Sequence, residues 1–175
     1  MSILSQYILK IKNLNLGTYN FKYHVDDEFF QVFNYDQILG ANLSVNVELI
    51  SQRRGFLLNF LIEGTVKVVC DRCLDTFDMD YKTTAFLNLE YADYESNEPD
   101  YKDTLKITRE TSEINLAKHI YDFIVLGLPM KKIHPTDPYG NPTCDPQMLE
   151  LIDRYKPKNS ISSRLNLNHI KEQLN

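Results

Sequence analysis

Residues 42–91 alternate apolar and polar side chains over long runs, and a period of two dictates strands. In "NLSVNVEL", Leu43, Val45, Val47 and Leu49 alternate strictly with polar residues, the pattern of a strand with one buried face. "SQRRG" follows, and Gly55 suits the left-handed position of a hairpin loop. The next run puts Phe56, Leu58, Phe60, Ile62, Val66, Val68 and Cys70 on one face and Asn59, Glu63, Thr65 and Lys67 on the other. Gly64 sits in the apolar row, where a glycine marks a bulge or bend. Beyond "CDRC", Phe77, Met79, Tyr81, Ala85, Leu87, Leu89 and Tyr91 share a face against Asp78, Asp80, Lys82, Asn88 and Glu90. The expectation is an antiparallel three-strand meander, with the Tyr/Phe-rich residues 7–33 adding one or two strands.

Helical spacing appears only later. "DYESNEPDYKDT", residues 93–104, holds five acidic residues and one lysine and reads as an exposed loop. "LKITRETSEI" offers a short strand. In "NLAKHIYDFIVLGLP", Leu116, Ile120, Phe123, Ile124 and Gly127 fall at helical spacing, with Asn115 as N-cap and Pro129 as stop. "CDPQMLELIDRYKP" is a second helix, capped by Asp145, with Pro146 in its first turn and Pro157 at its end. "SSRLNLNHIKEQLN" reads as a third. The predicted class is α+β, an antiparallel meander with C-terminal helices packed to one side. Residues 1–155 form one domain and residues 156–175 a basic tail or helix.

Charge narrows the function classes. Nineteen basic residues against twenty-four acidic give a net −5. Nonspecific nucleic-acid binding needs cations to neutralise phosphates, so the body is a poor coating or scanning RNA binder. The basic charge gathers at the end: Arg154, Lys156, Lys158, Arg164 and Lys171 against Glu172 give residues 154–175 a net +4, which leaves −9 on the rest. That segment is either a solvated tail or a docking segment for a phosphate-rich partner. The N-terminus has no apolar core or basic region of a signal peptide, and no run approaches the ~20 apolar residues of a membrane span. With three cysteines, two of them too close for a comfortable disulfide, a reduced cytoplasmic protein is expected. No membrane and no small-molecule substrate enter the reading. Nucleotide-binding, hydrolase-elbow and zinc-protease motifs are absent. Asp78 and Asp80 have no basic or nucleophilic neighbour and read as solubilising, and the aromatic residues fall on apolar faces.

The cysteines carry the chemistry. Cys70 and Cys73 in "VKVVCDRCLDTF" are placed to aim two thiolates at one point, as a zinc half-site does. Cys144 and His134, in "LPMKKIHPTDPYGNPTC", complete a Cys3His set if the helix at 115–128 runs back across the sheet; their ten-residue spacing is not that of a standard knuckle. A redox pair is the alternative, but it needs a helix N-terminus, and Asp71 beside Cys70 disfavours a thiolate. A reduced, packed pair is the third reading. His24 reads as a surface residue, His119 as solvent-facing or capping, and His169 lies in the tail.

These pieces together resemble the YceD family, the large ribosomal RNA subunit accumulation proteins. "CDRCL" and "LGLPMKKIHP…C" are the most specific parts, and the resemblance covers roughly residues 40–150. It implies a bacterial factor, with plastid relatives, that supports accumulation of 23S ribosomal RNA. The implied partners are a ribosomal protein, a large-subunit precursor or ribosomal RNA. It implies no enzymatic activity. Cys70 and Cys73 match the family's first cysteine pair, and His134 and Cys144 match the histidine and cysteine after the Leu–Pro step. The chain departs from the family in lacking a second cysteine pair and in having no tryptophan, with Leu165 in the region where many members carry one. Two rivals stand beside this reading: a zinc- or thiol-dependent enzyme built on the Cys/His cluster, and a generic protein-interaction module.

Overall fold

The computed structural model describes residues 3–92, 96–100 and 104–156. A single 3-10 turn, Ile3–Tyr7, leads into β1 (Ile8–Lys10), β2 (Gly17–Val25) and α1 (Asp27–Val32). Three long strands follow: β3 (Gly40–Gln52), β4 (Gly55–Val69) and β5 (Thr76–Tyr91). Then come β6 (Ser96–Asp100), β7 (Thr104–Ile107), β8 (Glu113–Asn115), α2 (Ala117–Gly127) and α3 (Pro146–Tyr155). The fold is α+β. A six-stranded sheet of order β2-β3-β4-β5-β7-β6 carries the molecule, and β1 pairs separately with β8. All neighbours in the large sheet are antiparallel except β5 and β7, which run parallel.

The alternation read from sequence is the burial pattern observed. Leu43, Val45, Val47 and Leu49 on β3 and Phe56, Leu58, Phe60, Ile62, Val66 and Val68 on β4 are all buried. Each residue is flanked by a partly or fully exposed one, as the pleat requires. The Arg53–Arg54 turn joins β3 to β4, and Gly55 is the first residue of β4, paired with Gln52, rather than a loop residue. Its φ of +151° and the Leu89 carbonyl 1.8 Å from where a Cβ would lie explain the glycine. Gly64 makes no bulge: the register runs through it unbroken, Leu43↔Gly64↔Tyr81. It is required because its φ is +147° and a Cβ there would lie 2.2 Å from the Asn42 carbonyl.

The helical layer covers the apolar face. Ile120 and Ile124 of α2 are fully buried, Phe123 packs on Phe60 with ring centroids 5.0 Å apart, and Tyr81 donates to the Ile124 carbonyl at 2.8 Å. The Asn115 side chain accepts from Ala117 N at 2.9 Å, but the N-cap position itself is Leu116. The sequence reading missed α1. Asp26 caps it by accepting from Phe29 N, and Phe29 and Phe30 bury against Tyr7 and the sheet. The acidic stretch 93–104 is not all loop: residues 96–100 form β6, which pairs with β7. "LKITRETSEI" divides between β7 and β8. The third helix read at 162–175, and with it His169, lies outside the described residues. No helix among the described residues is long and apolar enough to cross a membrane.

Candidate metal centre

β4 ends at Val69 and β5 begins at Thr76, so residues 70–75 must reverse the chain. They do so in a tight turn. Leu74 N donates to the Cys70 carbonyl at 2.9 Å, and Cys70 N donates to the Asp75 carbonyl at 2.8 Å. Arg72 N points at Cys70 Sγ, 3.4 Å away. Leu74 closes the turn at φ 63°, a left-handed conformation that costs an L-residue ~1–2 kcal/mol.

The second half explains the ten-residue spacing. Asp137 accepts from Tyr139 N at 2.9 Å and Asn141 N at 2.7 Å, and Gly140 takes a φ of +85°. Thr136 and Pro142 form a β-bridge, and Thr143 Oγ1 donates to the Pro135 carbonyl at 2.7 Å. The loop "TDPYGNP" is therefore a small closed hairpin whose ends are His134 and Cys144. α3 starts directly after it, with Asp145 accepting from Gln147 N at 3.0 Å.

The two halves are fastened by the backbone. Asp71 N donates to the Lys132 carbonyl at 2.7 Å, and Lys132 N donates to Asp71 Oδ2 at 2.6 Å. The Asp71 carboxylate, expected to oppose a thiolate at Cys70, is turned to this task instead. Sequence reasoning missed Asp71, Lys132 and the Asp137 loop. The turn composition of "TDPYGNP" was a usable signal for the loop; nothing in the sequence announced the clamp.

Cys70, Cys73, His134 and Cys144 meet, their ligand atoms all within 4.8 Å of one another. Cys70 Sγ lies 3.8 Å from Cys144 Sγ. His134 Nδ1 lies 3.4 Å from Cys73 Sγ and 3.8 Å from Cys144 Sγ. The three cysteines are 0%, 4% and 3% exposed, in chain order, and all are free thiols. Phe77 stacks on the His134 ring at 4.4 Å, and Ile133, Met148 and Leu149 close the remaining sides. α3 thus packs on this cluster, where Met148 and Leu149 meet the cysteines beside Phe77 of β5.

Burial works against a Cys70 thiolate. The N–H groups of Cys73, Arg72 and His134 and the His134 side chain outweigh it, and the pKa falls from 9.0 to about 6. Burial and the neighbouring Cys73 and Cys70 sulfurs push Cys144 the other way, from 9.0 to about 11. One thiolate is favoured and a second is resisted, as for like charges confined together. A cation among the sulfurs removes that conflict, so the four residues can hold a metal ion.

The other singled-out residues lie elsewhere. His24 is exposed on β2. His119 is half-buried, and burial lowers its pKa, so it is not the solvent-facing residue expected. Arg154 pairs with Glu150 at 2.9 Å and Lys156 pairs with Asp153, all four exposed on or just after α3. Lys158, Arg164 and Lys171 lie outside the described residues.

The fold and site together make this an α+β sheet domain that ties a C-x-x-C hairpin tip to a distant His/Cys loop. The chain belongs to the YceD family: the family model described as "Large ribosomal RNA subunit accumulation protein YceD" matches residues 58–168. The match begins inside β4 and runs past α3, so it takes in all four cluster residues. No curated protein and no solved structure matches the chain significantly. The family is named for accumulation of the large ribosomal RNA subunit, not for a reaction.

Proposed function

We propose that this chain is a non-enzymatic cytoplasmic factor in ribosome biogenesis. It supports accumulation of 23S ribosomal RNA by binding a ribosomal protein or a large-subunit precursor. Cys70, Cys73, His134 and Cys144 hold a structural zinc ion that joins the β4–β5 hairpin tip to the loop before α3. The family match supports the ribosomal part.

The spacing of the ligand atoms carries the zinc part. A tetrahedral zinc with bonds of about 2.3 Å to sulfur has sulfur–sulfur edges of about 3.8 Å. The Cys70–Cys144 separation is 3.8 Å. Four protein ligands fill a tetrahedron and leave no position for a water, which favours structure over catalysis. The near-complete burial of the sulfurs points the same way. In this reading residues 1–155 are the working domain, and Arg154, Lys156, Lys158, Arg164 and Lys171 face a phosphate-rich partner.

Two measurements test the proposal separately. Cells lacking the protein are expected to show a lowered ratio of large- to small-subunit ribosomal RNA, restored by the intact gene; an unchanged ratio ends the ribosomal reading. The purified protein is expected to carry about one zinc per chain, and cobalt substitution is expected to give a tetrahedral, thiolate-rich spectrum. A five-coordinate spectrum with bound water would move the assignment to a zinc enzyme.

A further inference from the structure

β5 is paired on one side from Thr76 to Glu90, all but its last residue, by β4. On its other side β7 pairs only with Asn88–Tyr91. Among the described residues no strand covers the edge at residues 76–87. Such an edge presents unpaired N–H and C=O groups, and natural sheets blunt it with proline, bulges or charges. "TFDMDYKTTAFL" contains no proline and its register with β4 shows no bulge; its charges are Asp78, Asp80 and Lys82, and with Lys82 turned to Glu63 at 3.3 Å the edge is left acidic. At the opposite edge of the sheet, the β2 carbonyl of His24 is taken by the Tyr7 hydroxyl at 2.7 Å.

A groove of about 320 Å³ runs beside the open β5 edge, between Phe86 and Leu87 on the strand and His119, Phe123 and Leu126 on α2. Phe86 is 53% exposed and Leu126 81% exposed, large apolar side chains left in water on either side of it.

We infer that this edge is a docking site for an extended, basic segment of a partner protein, added to the sheet as a strand beside β5. Main-chain hydrogen bonds hold the segment, and alternate apolar side chains enter the groove against Phe86 and Leu126. Charge selects the partner. Asp78 and Asp80 are exposed along β5, and the chain before residue 154 carries −9; Asp122 in the groove wall is already paired with Lys118 at 2.8 Å, so the selecting charge lies on the strand. An acidic segment is repelled there, as is a second copy of this chain at net −5. The inference rests on the sheet edge and is independent of the ribosomal reading.

The test uses the full chain and a short fluorescent peptide of alternating valine and lysine, with two controls. In one, glutamate replaces lysine; in the other, the valine nitrogens are methylated to remove alternate backbone donors. Fluorescence anisotropy is expected to show binding of the first peptide and loss of binding with either control. Hydrogen exchange is expected to slow at the β5 amides between Lys82 and Leu87. Phe86→Glu and Leu126→Glu, both at exposed positions, are each expected to weaken binding about tenfold. The inference is overturned if the glutamate peptide binds equally, if methylation has no effect, or if β5 exchange is unchanged. A dimer in sedimentation that Phe86→Glu dissolves would also overturn it, by assigning the edge to a second copy. Should either substituted protein fail to fold, the peptide controls on the unsubstituted chain still decide.

Discussion

The sheet core and the cysteine cluster share β4 and β5 but are held together by different physics. In the core, apolar side chains from β1 to β5, β7, β8, α1 and α2 exclude water, and each contributes in proportion to the area it buries. In the cluster, the buried side chains are three cysteines, with Phe77, Ile133, Met148 and Leu149 only partly buried around them. That is far fewer buried side chains than the core supplies. The cluster depends on a few directional contacts: the Asp71–Lys132 clamp, the Asp137 loop and the four converging ligand atoms. Core substitutions are therefore expected to lower global stability, and cluster substitutions to open the cluster locally.

The sharpest break of that comparison comes from the core. Phe60→Ala removes a fully buried ring that packs on Phe123 and spans the sheet–helix interface. It is expected to cost about 3–5 kcal/mol of global stability in a urea melt, with all elements unfolding together. A loss below about 1 kcal/mol would mean that the helical layer does not depend on this packing.

Cys70→Ser comes next and is expected to act locally. Exchange should rise in residues 71–74 and 131–155 while the β3–β4 amides stay protected, with a global loss of about 2 kcal/mol and loss of bound metal. An unchanged melting temperature together with unchanged metal content would contradict the assignment of Cys70 to the cluster. Equal loss of protection in β3 and β4 would mean that the two regions form one cooperative unit.

The two regions also differed in how far sequence revealed them. The sheet was legible because alternation is written residue by residue: the faces assigned to β3, β4 and β5 are those observed. Of the bulge or bend read at Gly64, the bulge is absent, and the glycine is required by a close approach of Asn42 on the neighbouring strand, which no local pattern records. β6 was masked by its acidic composition, and the parallel pairing of β7 arises from strand order, not from either strand's sequence. In the cluster the residue types were legible and their means of assembly were not. Cys70, Cys73, His134 and Cys144 could be named from chemistry and resemblance, but the hairpin that closes the 134–144 gap and the Asp71 clamp are tertiary facts.

Leu74 sharpens the contrast. It sits in the cluster turn at φ 63° with its side chain 68% exposed, so neither backbone preference nor burial favours a leucine there. Leu74→Gly is expected to stabilise the protein by about 1 kcal/mol, a rise in Tm of about 2–4 °C, because relief of the left-handed conformation exceeds the added chain entropy. Thermal melting with metal bound checks it, and a fall in Tm would show that the Leu74 side chain supports the turn.

The smallest effect separates the two regions by pH. His119 lies on the core side, half-buried near Phe123, and burial holds its pKa below the ordinary 6.5, against a raising influence from Asp122 and with a further lowering one from Lys118. The folded state thus binds this proton less readily than the unfolded state does. Its contribution is fully present above about pH 6.5 and declines as pH falls below that value. The cluster also loses stability in acid, since Cys70, whose pKa is lowered to about 6, takes up its proton as pH falls through that value, so the wild-type profile mixes both. His119→Gln in a Cys70→Ser background removes the histidine from a protein whose cluster is already disabled. Between pH 7.5 and 5.5, urea melts of that double variant are expected to lose less stability than those of Cys70→Ser alone. Parallel profiles would show that His119 takes its proton equally well in both states, and would leave the acid sensitivity of the molecule to the cluster.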